Sequence, residues 1–130
     1  MRLQRVQNSL ARAVCNSTKR QSHSIDLLKT LHWLPISERI KYKIAVLTFK
    51  ILQLGQPSYL ANLISLYKPL RTLRSSDSFL LTVPDIRTAV GRRSFSYASP
   101  TIWNTLPLHL RACTTFSSFC SKLKTHFFPP

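Results

Sequence analysis

Apolar positions between residues 35 and 54 recur with the helical period and form two stripes. The first stripe contains Ile40, Ile44, Leu47, Ile51 and Leu54, spaced alternately by four and three residues. The second stripe lies on roughly the opposite side and contains Tyr42, Ala45, Phe49 and Leu52. The narrow polar strip between them holds Arg39, Lys43, Lys50 and Gln53. A helix that is apolar on two sides is expected to pack on both, so the pattern predicts a central, most buried helix that ends before Gly55.

A second amphipathic helix is predicted over residues 1–16. Its apolar face contains Leu3, Val6, Leu10, Ala13 and Val14, and its polar face contains Arg2, Arg5, Ser9 and Arg12. No capping residue precedes the apolar pattern, which indicates a chain cut from a longer protein. We therefore expect this helix to have packed on missing parts, and to project or fray here. Residues 18–24 form a basic linker.

Shorter elements fill the rest of the chain. Ser24 is expected to cap a helix over 25–31, and Pro57 to begin one that runs to about residue 67. The apolar run at 79–83, bounded by Pro84 and Asp85, suggests a strand entering a turn, with 86–90 as its partner in a β-hairpin. Ser99 and Pro100 look like the cap and first position of a short helix through residue 103. Pro107 allows a further single turn. Thr114 or Thr115 is expected to cap a last helix, whose apolar face contains Phe116, Phe119, Cys120, Leu123 and Phe127.

The predicted fold class is therefore mainly α: a small helical region around one central helix, with one short β-hairpin near 79–90. We expect residues 1–130 to form a single region. Within it, residues 1–24 are an amphipathic basic helix plus linker, and residues 25–130 are the helical core.

The net charge indicates more about a binding partner than the overall composition does. Nineteen Lys and Arg face four acids, giving 130 residues a formal charge of +15. Such self-repulsion favours an anionic partner, with nucleic acid first and an acidic protein surface or anionic membrane next. No apolar run reaches the length of a membrane span. Three cysteines leave one unpaired in any disulfide scheme, which favours a reducing, intracellular compartment.

The sequence offers little for catalysis or metal binding. The acids Asp26, Glu38, Asp77 and Asp85 form no close pair, and no glycine-rich phosphate loop is present. Cys113, Cys120 and His126 lack zinc-finger spacing, and a Cys or Ser nucleophile with a His base has no local signature. We expect no enzymatic activity, no cofactor and no small-molecule substrate.

The candidate nucleic-acid-binding residues are the basic side chains of the first helix, the linker and the loops. They are Arg2, Arg5, Arg12, Lys19, Arg20, Lys68, Arg71, Arg74, Arg92 and Arg93. Because no sequence-reading module is recognisable, the expected mode is binding to the phosphate backbone of RNA or DNA. His32 beside Trp33 could stack on bases, although a packed junction before the central helix is the favoured interpretation.

Several segments, in order along nearly the whole chain, resemble one family. They are LQRVQN (3–8), LHWLP (31–35), RIKYKIAVLTFKIL (39–52), PSYL (57–60), LRSSD (73–77), GRRSFSYASP (91–100), WNTLP (103–107) and FSSFCSKLKTHFF (116–128). Together they are similar to the C-terminal end of reverse transcriptases from LINE-type retrotransposons, which lack long terminal repeats. The similarity points to the jockey-like and chicken-repeat-like branches.

The resemblance implies a parent with an endonuclease and a polymerase, which nicks DNA and copies element RNA. The Ala-Asp-Asp motif of the polymerase palm is absent from this chain, so no catalytic residue carries over. Residues 3–16 would correspond to the end of the thumb or to the segment just beyond it, so the region as a whole is the post-thumb part, and Met1 would be the start of a fragmentary reading frame. A nuclear or cytoplasmic location follows from this reading, with help in holding RNA or DNA as the expected role.

Two alternatives remain open on the sequence. Residues 1–24 are basic, free of acids and amphipathic, as a mitochondrial transit peptide is, so the chain could be a small mitochondrial protein. Alternatively, the chain is an unselected fragment with no function. The oligomeric state is not indicated by any pattern.

Overall fold

A computed structural model describes residues 2–17, 23–69 and 79–128. Across these ranges the chain is mainly helical, as predicted. The described α-helices are α1 (Arg2–Val14), α2 (Ser24–Thr30), α3 (Ile36–Leu54), α4 (Ser58–Ala61), α5 (Phe95–Thr105), α6 (Leu108–Arg111) and α7 (Phe116–Phe127), with a 3-10 helix at Gly91–Arg93. The predicted linker residues Lys19 and Arg20, and the predicted loop residues Arg71 and Arg74, lie outside the described residues.

The central helix forms where the apolar pattern places it, and it ends as predicted. Gly55 follows α3 with a φ of +64°, a left-handed conformation that favours glycine. Its N–H donates to the carbonyl of Ile51 at 2.9 Å, which satisfies one of the last carbonyls of the helix.

The two apolar stripes of α3 are buried to different extents. Ala45 and Phe49 of the second stripe are buried, whereas in the first stripe Ile51 is buried, Ile44 is half-buried, and Ile40, Leu47 and Leu54 are exposed. The polar Thr48 of α3 is also fully buried, and its hydroxyl lies 2.7 Å from that of Ser99. The α3 helix therefore has one well-buried side and one side open along part of its length.

The chain divides into two compact units. The first unit comprises Met1–Tyr42 and Lys124–Pro130, and the second comprises Lys43–Leu123. The boundaries fall within α3 and α7, so both helices contribute residues to each unit.

The first unit has a small core between α1 and α2. Ala11, Leu27 and Leu28 are buried there, and Leu31 and Trp33 pack against them. Ser24 is not the cap predicted for α2, because it lies inside the helix and its hydroxyl accepts a hydrogen bond from Arg12.

The second unit is built on stacked aromatic side chains. Phe49 of α3 stacks on Phe119 of α7 with ring centroids 4.3 Å apart, and Trp103 of α5 lies 5.8 Å from the same ring. All three are almost fully buried. The indole N–H of Trp103 donates to the carbonyl of Phe79 at 2.8 Å. This hydrogen bond compensates the indole nitrogen for the loss of water on burial.

The predicted β-hairpin is not formed. Leu81 makes an isolated antiparallel bridge with Leu66 instead of pairing with the 86–90 segment. Residues 65–67 are therefore extended, and α4 is a single turn rather than a helix to residue 67. Pro57 precedes α4 as its cap, not as its first residue.

Pro100 also lies elsewhere than predicted. It is inside α5, which begins after Ser94, and not at the start of a shorter helix. Proline removes one helical hydrogen bond. Here burial of Pro100 and Trp103, together with the hydrogen bond between Ser99 and Thr48, favours continuing the helix.

Candidate nucleic-acid interface

The candidate phosphate-binding residues are divided between the two units. Arg2 and Arg5 are exposed on α1 in the first unit, and Lys68, Arg92 and Arg93 are exposed in the second. Exposed guanidinium and ammonium groups can neutralise phosphate charge directly, because no buried interaction has to be broken first.

Arg12 differs from the other candidates on α1. Its side chain is half-buried, and Nη2 donates to the hydroxyl of Ser24 at 2.6 Å. Its Nε is buried without a hydrogen-bond partner among the described residues. Arg12 therefore ties α1 to the beginning of α2, and its guanidinium is less available to a phosphate than those of Arg2 and Arg5.

A tight turn at Gly91 positions the arginine pair of the second unit. The N–H of Gly91 lies 3.1 Å from Thr88 Oγ1, and its carbonyl accepts the hydroxyl of Ser94 at 2.6 Å. A Cβ at position 91 would come too close to Ile86 Cγ2 and lie 2.8 Å from Thr88 Oγ1, so any larger residue would require these two side chains to move. Arg92 Nε donates to the carbonyl of Ile86 at 3.1 Å, while Arg93 is exposed.

Few carboxylates compensate this charge. Lys41 pairs with Glu38 at 3.0 Å, and Arg87 approaches Asp85 at 3.9 Å, with both Arg87 and Asp85 highly exposed. Neither Lys68 nor Arg93 has a carboxylate partner within the described ranges. The described surface is therefore strongly cationic in both units.

Sequence reasoning did not include six further exposed cations. Besides Lys41 and Arg87, which lie near carboxylates, they are Arg39 and Lys43 on α3, and Lys122 and Lys124 on α7. Arg39 and Lys43 are four residues apart on the polar strip of α3, and this helical spacing could have indicated them. Lys50, also on that strip, is half-buried with its Nζ 5.0 Å from the centre of the Phe116 ring, a cation–π contact.

His32 and Trp33 have different surroundings, although they are neighbours. Trp33 packs against the α1–α2 core, which agrees with the packing interpretation. His32 is exposed, with its ring centre 6.3 Å from that of Phe128. Together with Lys124, these two rings line a shallow pocket of about 320 Å³. Aromatic rings beside an ammonium group suit a stacked base with its phosphate, so His32 is the better candidate for base contact.

A partly open apolar cavity lies in the second unit. It has a volume of about 280 Å³ and is lined by Phe49, Leu66, Phe79 and Trp103, among others. Arg111 also borders it, and burial lowers the pKa of its guanidinium.

The cysteines are free thiols, and their surroundings are not those of a metal site. The buried Cys113 thiol donates to the carbonyl of His109 at 3.3 Å. Within the described ranges, no three His, Cys, Asp or Glu side chains come together as metal ligands would. Over the same part of the chain, no helix combines the length and apolar character that a membrane span requires.

Comparisons with known proteins give these surfaces no counterpart. No protein-family model matches the chain, and searches of curated proteins and solved structures found no match either. The cationic residues and their surroundings are therefore what supports a function.

Proposed function

We propose that this chain is a non-catalytic C-terminal part of a LINE-type retrotransposon reverse transcriptase that binds RNA or DNA through the phosphate backbone. The observation that carries the binding proposal is the exposure of cations without compensating acids. Arg2 and Arg5 in the first unit, and Lys68 and Arg93 in the second, are exposed, and the chain holds four acids against nineteen cations.

Backbone contacts fit these residues better than base-edge contacts. The exposed cations lie on α1, after α4 and in the Gly91 turn, so they do not all belong to one helix that could enter a groove. Phosphates are present at every nucleotide, so scattered cations can each neutralise one and release counterions. The expected result is affinity with little sequence preference.

The surroundings of α1 favour this proposal over the transit-peptide alternative. A transit peptide is removed after import, so the mature protein should not need it for folding. Here Ala11 of α1 is fully buried in the core with Leu27 and Leu28. Gln7 Nε2 also donates to the carbonyl of Leu34 at 2.8 Å, and Gln7 is itself buried. Loss of α1 would therefore expose the α2 core and leave a buried carbonyl unpaired.

A salt titration tests the binding proposal. Affinity of the full chain for single-stranded RNA of mixed sequence is measured by fluorescence anisotropy between low and moderate salt. If six cations engage phosphates, the slope of log affinity against log salt should be about −4, from roughly −0.7 per phosphate. A second RNA of unrelated sequence should give the same slope. A flat response, or no binding at low salt, would contradict the proposal.

A further inference from the structure

The α1 helix packs on the side that the apolar pattern does not mark. Leu3, Val6, Leu10 and Val14 are 54–60% exposed, although they form its apolar stripe. The buried residues of α1 are Gln7 and Ala11. Leu10 and Ala11 are about 100° apart around the helix, so the apolar stripe lies beside the packed side and remains open to solvent.

Two glutamines hold α1 in this orientation. Gln7 Nε2 donates to the carbonyl of Leu34 at 2.8 Å, and Gln4 Oε1 accepts the backbone N–H of Ile36 at 2.9 Å. Gln4 Nε2 in turn donates to Gln7 Oε1 at 2.9 Å. This network links α1 to the segment before α3 through polar bonds, so the apolar stripe is not needed to attach the helix.

The same contacts form an apolar groove in the first unit, which we call the α1 groove. It has a volume of about 370 Å³ and lies between α1 and the start of α3, lined by Leu3, Val6, Leu10, Trp33, Ile36 and Arg39. Its two walls are joined by the glutamine hydrogen bonds. The groove is therefore formed before any partner binds, which reduces the ordering cost of binding.

We propose that the α1 groove binds an amphipathic helix of another protein, one with an apolar ridge flanked by acidic residues. The groove offers apolar positions at residues 3, 6 and 10, the spacing of one helix face, and helices commonly bind such grooves through residues at similar spacing. Its one charged lining residue is Arg39, which is exposed.

Charge selects an acidic helix over a second copy of this chain. Arg39 is exposed and borders the groove, while Arg2 and Arg5 are exposed on the polar face of the same α1 helix. A second copy would bring another +15 charge to the contact, which opposes association. Asp or Glu residues flanking the ridge would instead lie near the guanidinium group of Arg39.

Shape selects a helix over a bilayer surface. A helix that lies on a membrane needs an apolar face that protrudes, with its remaining sides in water. Here two other sides of α1 are not in water, because Ala11 is buried in the core and Arg12 is hydrogen-bonded to Ser24. The apolar residues also line a concave groove, which receives a ridge of side chains.

The test uses three synthetic helical peptides with the same leucine ridge and with Glu, Gln or Lys on its flanks. Binding to the full chain is measured by anisotropy without nucleic acid, so the result does not depend on the proposed function. We expect the Glu peptide to bind most tightly and the Lys peptide most weakly. The substitution Leu10→Lys should weaken binding of the Glu peptide by at least about tenfold.

Matched variants separate the groove from general charge. Val90→Lys places the same charge on another exposed apolar residue, outside the first unit, and should leave peptide binding unchanged. Arg39→Glu should reverse the preference, so that the Lys peptide binds more tightly than the Glu peptide. Val6→Lys repeats the Leu10 test at an independent position, and circular dichroism confirms that each variant is folded.

Each other outcome would overturn the proposal. Binding that is equal for the three peptides, absent for all of them, or unaffected by both Leu10→Lys and Val6→Lys excludes an acidic helix in the groove. Concentration-dependent dimerisation lost in Leu10→Lys would assign the groove to a second copy. Binding to phosphatidylserine vesicles, lost in the same variant and without peptide binding, would assign it to a membrane surface.

Discussion

The side-chain amide of Asn104 binds the backbone of Leu81 as a neighbouring strand would. Its Nδ2 donates to the Leu81 carbonyl and its Oδ1 accepts the Leu81 N–H, both at 2.9 Å. The backbone on the opposite edge is paired through the bridge to Leu66, where Tyr67 N–H donates to the Leu80 carbonyl at 2.9 Å. Both edges of the 79–83 segment are thus occupied at Leu81, which explains why the 86–90 segment does not pair with it.

The Asn104 amide should be important for stability. Asn104→Ala removes both hydrogen bonds and leaves two backbone groups of the buried Leu81 unpaired, which should lower the free energy of unfolding by about 2–4 kcal/mol. Urea denaturation followed by tryptophan fluorescence measures this loss. Thr101→Ala is the control, because Thr101 is exposed on the same helix and should change stability by no more than about 0.5 kcal/mol. Equal effects of the two substitutions would contradict this role.

The buried and the exposed residues of the two α3 stripes should contribute differently to the free energy of unfolding. Phe49→Ala should cost about 3–5 kcal/mol, because its ring is buried and stacked on Phe119. Leu54→Ala should cost no more than about 0.5 kcal/mol, because Leu54 is 64% exposed. Ile44→Ala should fall between them, since Ile44 is half-buried. The same denaturation experiment measures all three. A large loss for Leu54→Ala would show that the first stripe packs after all.

Nucleic-acid affinity should depend on where charge is removed, and not only on how much. Lys68→Gln with Arg93→Gln removes two exposed cations that have no carboxylate partner in the described part of the chain. If both bind phosphate, the salt slope for single-stranded RNA should flatten by about 1.4, at roughly 0.7 per contact.

The matched control for that pair removes the same charge from existing ion pairs. Lys41→Gln with Arg87→Gln affects cations that already have a carboxylate nearby, at 3.0 and 3.9 Å respectively. Its effect on the slope should be smaller. If the two double variants lose affinity equally on every RNA, net charge alone governs binding and the assignment of Lys68 and Arg93 is wrong.

The chain should have no polymerase activity. Primer extension on an RNA template with Mg²⁺ should give no product above background, because the four acids form no close pair in the sequence that would be expected to hold the metal ions. An active reverse transcriptase run in parallel is the positive control. Extension that survives repurification of the chain would contradict the non-catalytic assignment.

The sequence by itself determined the helical class and the main helix boundaries. The 3.6-residue period and the glycine at position 55 act locally, so α3 and its end could be read without tertiary contacts. The single turn after Pro107 and the start of α7 after Thr115 were predicted for the same reason. The high positive charge likewise follows from the composition, so it could be predicted without the tertiary structure.

Tertiary structure decided which faces are used and which segments pair. The apolar stripe of α1 is open because polar bonds from Gln4 and Gln7 attach the helix by another side, and periodicity does not reveal such bonds. The Leu81 segment pairs with Leu66 and Asn104, since partners distant in sequence compete for the same backbone groups. The guanidinium of Arg12, predicted to be part of the cationic surface, is instead hydrogen-bonded to Ser24. Hydrogen-bond partners are chosen by proximity in space, and that is the information a one-dimensional pattern lacks.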